Sequence, residues 1–285
     1  ERRQRQMCIR DRAYLGKNGF PGAIIGLSGG IDSALVLAIA VDALGADRVR
    51  TVMMPSPYTA DISWLDAREM ASRLGVRHDE IAIAPIFDAF RAGLAPQFAG
   101  LAEDTTEENL QARIRAVIWM GLSNQHGHLV LACGNKSELA TGYSTIYGDA
   151  VGAYAPIKDV PKTVVWELAT WRNAIAEERG ETPPIPPNTI SKPPSAELRP
   201  GQLDSDSFPT YDLLDAVLDA YVDRDLGSAA VIAEGHDPAL VHRVVTLVDK
   251  AEYKRRQSPP GPKVSRRNFG RDRRVPITHR WREDT

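Results

Sequence analysis

Along the chain, short apolar runs alternate with longer stretches in which apolar residues recur every three or four positions. The runs Ala23–Leu27, Val49–Met54, Glu80–Ile83 and Leu129–Ala132 are brief, apolar and bounded by Gly, Pro or polar residues, which predicts buried strands. Between them the spacing predicts helices over Ser33–Leu44, Asp61–Leu74 and Glu107–Asn124. Strands and helices in alternation predict an α/β fold: a doubly wound parallel sheet with helices on both faces. After Ala155 the pattern changes to a helix over Lys162–Glu178, a Pro-rich passage from Thr182 to Pro209, and helices over Tyr211–Val222, Ser228–Glu234 and Pro238–Arg256. The prolines exclude regular helix or central strand from that passage. A loop of such length inside a compact domain is usually functional or disordered.

Composition narrows the class without deciding it. At 285 residues the chain can bury one large core, or one core and a modest appendage. Thirty-five basic against thirty-seven acidic side chains leave a net charge of −2, which offers no overall electrostatic attraction to nucleic acid. From Tyr253 onward the balance turns basic, with Lys254, Arg255, Arg256, Lys263, Arg266, Arg267, Arg271, Arg273 and Arg274. Such a tail reads as a solvated or anion-contacting segment. Cys8 and Cys133 lie far apart and lack neighbours at metal-ligand spacing, so a reduced, cytoplasmic setting is expected. No apolar run is long enough to span a membrane, and Glu1–Arg12 lacks the apolar stretch of a signal peptide. The chain begins at Glu1, with Met7 its first methionine, and so reads as a piece of a longer protein.

The segment Gly26-Leu27-Ser28-Gly29-Gly30-Ile31-Asp32-Ser33 joins a predicted strand to a predicted helix. Gly29 and Gly30 allow positive φ and close approach of backbone N–H groups to an anion. The helix N-terminus adds its dipole, and Ser28 and Ser33 offer hydroxyl donors to phosphate oxygens. The Gly-Lys-Ser/Thr ending of a Walker A loop is missing. Asp32 falls in the first turn, where a carboxylate would repel bound phosphate unless a cation lay between them, and Mg²⁺ is the natural bridge. Taken alone, the stretch also reads as a Gly-rich turn with Asp32 as an ordinary helix-terminal acid. The segment Gly134–Glu138 likewise follows a predicted strand, so both are expected at the carboxyl edge of the sheet, where ligands bind in such folds.

The order Ser-Gly-Gly-x-Asp-Ser at 28–33 resembles the ATP pyrophosphatase superfamily, whose members grip the β and γ phosphates of ATP and release them as pyrophosphate. Three further stretches resemble NAD synthetase: Gly134-Asn135-Lys136-Ser137-Glu138 running on to Tyr147-Gly148-Asp149, Glu108-Asn109-Leu110-Gln111-Ala112-Arg113-Ile114-Arg115, and Ser191-Lys192-Pro193-Pro194-Ser195-Ala196-Glu197-Leu198-Arg199-Pro200-Gly201-Gln202. The resemblance runs from about Tyr14 to Arg280. It implies an adenine nucleotide alpha hydrolase-like fold over residues 13–285, with 182–209 as a Pro-rich lid, 253–285 as the basic tail and residues 1–12 unassigned.

The resemblance also implies a reaction and a set of residues. ATP would adenylate the carboxylate of deamido-NAD, and ammonia would displace AMP to give NAD⁺. A carboxylate at neutral pH is a poor electrophile, whereas an acyl-adenylate carries a good leaving group. ATP contacts fall on Gly26 to Ser33, Cys133, Lys162 and Ser191, with Cys133 standing where the family commonly has Thr. Asp32 and Glu138 would hold magnesium and, with Lys162, form the catalytic set. Asn109, Arg113, Glu138 and Lys254 would touch deamido-NAD, with Arg115 a further candidate. Each also has a plainer reading: Glu138 as a first-turn acid, Arg113 as a surface ion-pair partner, Lys162 as a helix opener, Ser191 as a solvated loop residue, and Lys254 as a cation at a helix end.

At Ile146 the short ammonia-dependent enzymes tend to carry a substrate-touching Lys, so the chain resembles the glutamine-dependent branch more closely. Those proteins carry an N-terminal amidase domain with a Cys nucleophile. Cys8 has no supporting constellation for that role. A homodimer, with neither nucleic acid nor membrane as partner, is the implied assembly. Two other readings compete. Another ATP pyrophosphatase, such as a GMP synthetase or a tRNA thiolase, is one, and the thiolases need more cysteines. A passive nucleotide-binding module is the other, and it has no need of paired carboxylates.

Overall fold

The computed structural model describes residues 2–204 and 209–278. Its centre is a four-stranded parallel sheet of β1 (Ala23–Gly26), β2 (Val49–Met53), β3 (Arg77–Glu80) and β4 (Leu129–Leu131), in the order β3-β2-β1-β4. Ala23 of β1 pairs with Val49 on one side and Leu129 on the other, so β1 is flanked throughout and reads as wholly apolar.

Side-chain alternation along these strands feeds two cores. Ala23, Ile25, Val49 and Met53 face a core shared with α1 (Arg2–Asn18), α2 (Ile31–Leu44), α3 (Asp61–Leu74) and α7 (Lys162–Glu178). Ile24 and Val52 point the other way, toward Phe87 of α4 (Ala84–Leu94) and Ile114 of α5 (Thr105–His126). The doubly wound α/β sheet expected from the pattern is therefore present. Past β4 come α6 (Lys136–Thr141), α8 (Pro187–Ser191), α9 (Tyr211–Leu218), α10 (Ser228–Ala233), α11 (Pro238–Lys250) and α12 (Glu252–Arg255). A third core of Leu214, Val217, Val241, Val244 and Val245 joins α9 and α11 to Ala140 of α6.

Several sequence expectations need correction. β3 lies at Arg77–Glu80, not at Glu80–Ile83. Among the described residues it pairs only with β2, as an edge strand, so its polar side chains reach solvent or cations: Arg50 pairs with Asp79 at 2.5 Å and Arg68 with Glu80 at 2.5 Å. The apolar Ile81–Ile83 instead runs on from the strand into α4 and fills the core, with Ile83 fully buried. The Pro-rich passage is not wholly irregular, because Pro187 opens the short α8 in the first turn, where the helix ladder needs no N–H. Its residues 205–208 lie outside the described residues. The helix expected over Pro238–Arg256 breaks at Ala251, and that expected over Tyr211–Val222 widens into a π-turn at Asp219–Asp223. The basic tail is largely paired within the fold: Arg255 is buried and bonded to Glu252 at 3.0 Å, and Lys263 lies 2.6 Å from Asp272.

Residues 1–12, unassigned from sequence, mostly belong to α1, which runs unbroken past position 12 and packs along α2. Met7 and Leu15 are fully buried there, and so is Asp11. No helix among the described residues is long and apolar enough to cross a membrane.

Candidate active site

The phosphate-loop segment lies at the carboxyl edge of β1. Gly26 ends the strand, where a Cβ would come within 2.3 Å of Trp119 Cζ2. Leu27 donates its N–H to Val52 O at 3.1 Å, and both Leu27 and Ile31 bury their side chains, so these two offer only backbone to a ligand. Gly30 is the N-cap of α2 and supplies no side-chain bond, which leaves the first-turn N–H groups for an outside acceptor. Ser33 Oγ donates to Gly30 O at 3.0 Å and accepts from Ser28 N at 3.3 Å, holding the loop closed on itself. Gly29 has φ +78° and backs onto α3 so tightly that a Cβ would meet Ser63 O at 2.2 Å. Gly29→Ala should therefore cost about 2 kcal/mol or more of stability and, where the loop takes ATP as the resemblance implies, weaken that binding together. Urea midpoints and nucleotide titration of the variant check this; an unchanged midpoint would contradict it.

Asp32, Glu138 and Lys162 converge from three elements. Asp32 stands in the first turn of α2, Glu138 in the first turn of α6, and Lys162 at the start of α7. Lys162 Nζ donates to Asp32 Oδ2 and lies 3.8 Å from Glu138 Oε1. Asn135 ties the strand ends together: its Nδ2 donates to Asp32 Oδ1 at 2.9 Å, and its Oδ1 accepts from Glu138 N at 3.0 Å. The Lys162 side chain is only 2 % exposed. Burial works against its charge, yet the Asp32 and Glu138 carboxylates outweigh that and hold its pKa above the ordinary lysine value. Glu138 is pushed up to about 8, by burial first and the Asp32 charge second.

The lysine is positioned from behind. Its backbone N–H donates to Ser137 Oγ at 2.9 Å, and Ser137 in turn bonds to Asp215 of α9, which also accepts from Thr163 N at 2.8 Å. Lys136, the neighbouring cation, is turned fully away into a buried cluster, with Nζ 2.8 Å from Asp223 Oδ2 and 2.7 Å from Ser265 Oγ. It is structural. Asp204, at the end of the Pro-rich passage, accepts from Tyr211 OH at 2.8 Å, and its pKa is raised by burial although Lys162 opposes the shift.

The donor set around Lys162 fits a hard divalent cation. Two carboxylates from separate strand ends share one ammonium, and burial, with the Asp32 charge beside it, raises the Glu138 pKa although Lys162 opposes the shift. Among the described residues no group of three or more His, Cys, Asp or Glu side chains is placed to hold a metal alone. The remaining positions of such an ion would fall to phosphate oxygens and water.

A model of the NAD synthase family matches residues 4–258. The chain belongs to the NAD synthase family. It is 54 % identical over 278 residues to the glutamine-dependent NAD(+) synthetase of Acinetobacter baylyi, a match covering 98 % of this chain and 51 % of that protein. The chain thus spans about half the length of the curated relatives it matches. Among solved structures it is similar to glutamine-dependent NAD+ synthetase from Acinetobacter baumannii in complex with ADP, at 50 % identity and TM-score 0.64, covering 98 % of this chain and 50 % of that one. An NH3-dependent NAD synthetase from Campylobacter jejuni, in complex with nitrate, matches at 26 % identity and TM-score 0.70, covering 89 % and 94 % respectively. The two Acinetobacter proteins are thus about twice as similar in sequence as the Campylobacter jejuni one.

In this NAD synthase domain three of the four residues expected at the dinucleotide gather on one loop, 142–149, while Glu138 stays with Lys162 and Asn135. Asn109 Oδ1 accepts from Thr145 Oγ1 at 2.6 Å, Arg113 Nε donates to Ile146 O at 3.2 Å, and Lys254 Nζ donates to Gly142 O and Ser144 O, both at 2.7 Å. The break at Ala251 is what turns Lys254 toward that loop. Burial lowers the Lys254 pKa, with Asp149 opposing. Arg115 turns away instead, donating to Met54 O at 3.0 Å at the end of β2, and burial brings its pKa down to about 10. Cys133 follows β4, and burial, with Asp32 and Glu138 nearby, raises its thiol pKa strongly, so it stays a thiol. Ser191 is not brought to the carboxylates: it ends α8, exposed, with its hydroxyl 3.4 Å from Asn188 O.

Sequence reasoning assigns no role to Asn135, Asp204, Ser63 or Glu197. The Asn-x-x-Glu spacing at 135–138 is a capping-box signal available for Asn135, and the structure contains that box. Ser63 and Glu197 meet across 134 residues of chain, and Asp204 accepts from Tyr143 OH at 3.4 Å across 61 as well as from the nearby Tyr211, contacts for which no local pattern exists.

Proposed function

We propose that this domain adenylates the carboxylate of deamido-NAD with ATP and transfers the acyl group to ammonia, yielding NAD⁺, AMP and pyrophosphate. One observation carries the reading: a buried ammonium, Lys162, held between Asp32 and Glu138 at the strand edge where the Gly26–Ser33 loop opens. In this reading the loop N–H groups and the Ser28 and Ser33 hydroxyls bind the β and γ phosphates. Lys162 stabilises negative charge that grows on the phosphate oxygens as the α–β bond breaks. Asp32 and Glu138 would hold magnesium, which, when bound, neutralises the departing pyrophosphate. Asn109, Arg113 and Lys254 orient deamido-NAD so that its carboxylate meets the α-phosphate.

The assembly belongs to the same proposal. On α5 the outward face carries Arg113, then Val117 at 72 % and Met120 at 39 % exposure, an apolar stripe continuous with a dinucleotide residue. Spacing of four and three residues puts them on one face, which supports a homodimer through that helix. The ammonia source in the whole protein is glutamine, by likeness to the glutamine-dependent relatives, and both cysteines here are free, which suits a reduced cytoplasm.

The test is to supply ATP, Mg²⁺ and deamido-NAD with either ammonium or glutamine and to quantify AMP, pyrophosphate and NAD⁺. Equal yields of the three with ammonium, and none with glutamine from this 285-residue chain, are expected. No AMP with deamido-NAD and ammonium would overturn the reading.

A further inference from the structure

Ser63, in the first turn of α3, is a junction between the phosphate loop and the Pro-rich passage. Its carbonyl lies against Gly29, close enough that a Cβ there would come within 2.2 Å. Its hydroxyl faces the other way, donating to Glu197 Oε1 at 2.5 Å and accepting from Lys192 Nζ at 3.0 Å. Glu197 Oε2 also accepts from Ala60 N at 3.2 Å, supplying from 137 residues away the cap that Ala60 itself does not provide. A carboxylate at a helix N-terminus is favoured by the dipole as well. Lys192 continues to the buried Asp66, with Nζ 3.0 Å from Oδ2. The far end of the same passage is tied to α5, where Gln111 Nε2 donates to Leu198 O at 2.9 Å and Gln202 Nε2 lies 3.4 Å from Glu108 Oε2.

Glu197 holds this position at φ +50°, a left-handed conformation that a glutamate adopts only when its surroundings impose it. Its carboxylate bonds to Ser63 and Ala60, and its own N–H donates to Ser195 Oγ at 3.2 Å, while it holds that conformation. From this geometry we infer that Glu197 is a positioning residue, the latch that holds the 192–202 segment shut against α3 and registers it, through Ser63 and Gly29, with the phosphate loop. The inference rests on the adenylate reading above. In that reaction the latch keeps water from the acyl-adenylate until ammonia attacks. With the latch open, water adds to the acyl carbon and the acyl–oxygen bond to AMP breaks. Deamido-NAD and AMP then leave, one proton goes to solvent, and ATP is consumed without NAD⁺.

The experiment measures the ratio of AMP to NAD⁺ formed at subsaturating ammonium, together with amide hydrogen exchange over residues 192–204. Glu197→Ala should raise the ratio from about one to roughly ten and speed exchange of the Leu198 and Asp204 amides by about tenfold, the effect of losing a charge-assisted bond. Glu197→Gln keeps one oxygen to accept from Ala60 N and places its NH2 to donate to Ser63 Oγ, and should keep the ratio close to one. Ser63→Ala, which leaves the Gly29 contact in place, should leak in the same direction and covers the case of a misfolded Glu197→Ala. A ratio of one in Glu197→Ala and Ser63→Ala, or equal leakage in Glu197→Gln, overturns the latch. Absence of AMP from the unaltered protein would instead strike the adenylate reading itself, so the two failures are distinguishable.

Discussion

Replacing Asp32 by Asn should lower AMP formation on the order of 10³-fold while leaving the fold in place. Asp32 accepts from Asn135 Nδ2 at 2.9 Å and from Lys162 Nζ, and it lies in the α2 turn beside the phosphate loop. The substitution keeps an oxygen for Asn135 but removes the charge that would share a cation with Glu138. Two adverse effects then coincide. A cation held there would lose one of its two carboxylate ligands, and Lys162 loses a neutralising partner although Glu138 remains 3.8 Å away. Stability should change by only about 1 kcal/mol, because one charged partner of the lysine persists and the hydrogen bond from Asn135 survives. Pyrophosphate release assayed across a Mg²⁺ titration, with circular dichroism melts alongside, separates the two effects. AMP production within about tenfold of the unaltered protein would remove Asp32 from the catalytic set.

Asp11→Asn is expected to stabilise the protein, and increasingly so as pH rises. Asp11 is fully buried in α1 beside Cys8 and Tyr154, and neither carboxylate oxygen has a hydrogen-bond partner. Burial pushes its pKa up to about 8. A carboxyl with a folded pKa above its unfolded value binds more protons in the native state across that interval. Stability is therefore full below about pH 4 and is lost as pH rises toward 8. Against the ordinary aspartate value the penalty is roughly 2 kcal/mol at pH 5 and roughly 5 kcal/mol at pH 8. The amide of the variant has nearly the same volume and no charge, so the difference in urea midpoint between the two proteins should widen over that range. A difference independent of pH would show that the carboxyl stays hydrated or paired.

Asp11 also illustrates where local reading stops. A helix rich in arginine with an acid on its inner face shows no clear apolar stripe, yet α1 folds against α2 because Met7 and Leu15 supply enough buried surface. Edge strand β3 departs from the apolar pattern for a related reason. Its residues are polar because only one side pairs, and the apolar run expected to be the strand serves the core beneath α4.

What the chain determined by itself is the local chemistry: strand, Gly-rich loop and helix at 23–44, the capping spacing at Asn135 and Glu138, and the amphipathic length of α5. These follow from contacts within a few residues, which is the range over which backbone geometry and side-chain periodicity are set. Tertiary structure decided which of the two lysines at 136 and 162 meets the carboxylates at the sheet edge. Both are buried, but Lys136 is drawn to Asp223 by a π-turn some eighty residues on, and Lys162 to Asp32 across the sheet edge. It also decided that Ser191 faces solvent while Glu197, six residues later, reaches back to α3. Such choices depend on how distant elements pack, because a buried charge goes wherever folding brings it a partner of opposite sign.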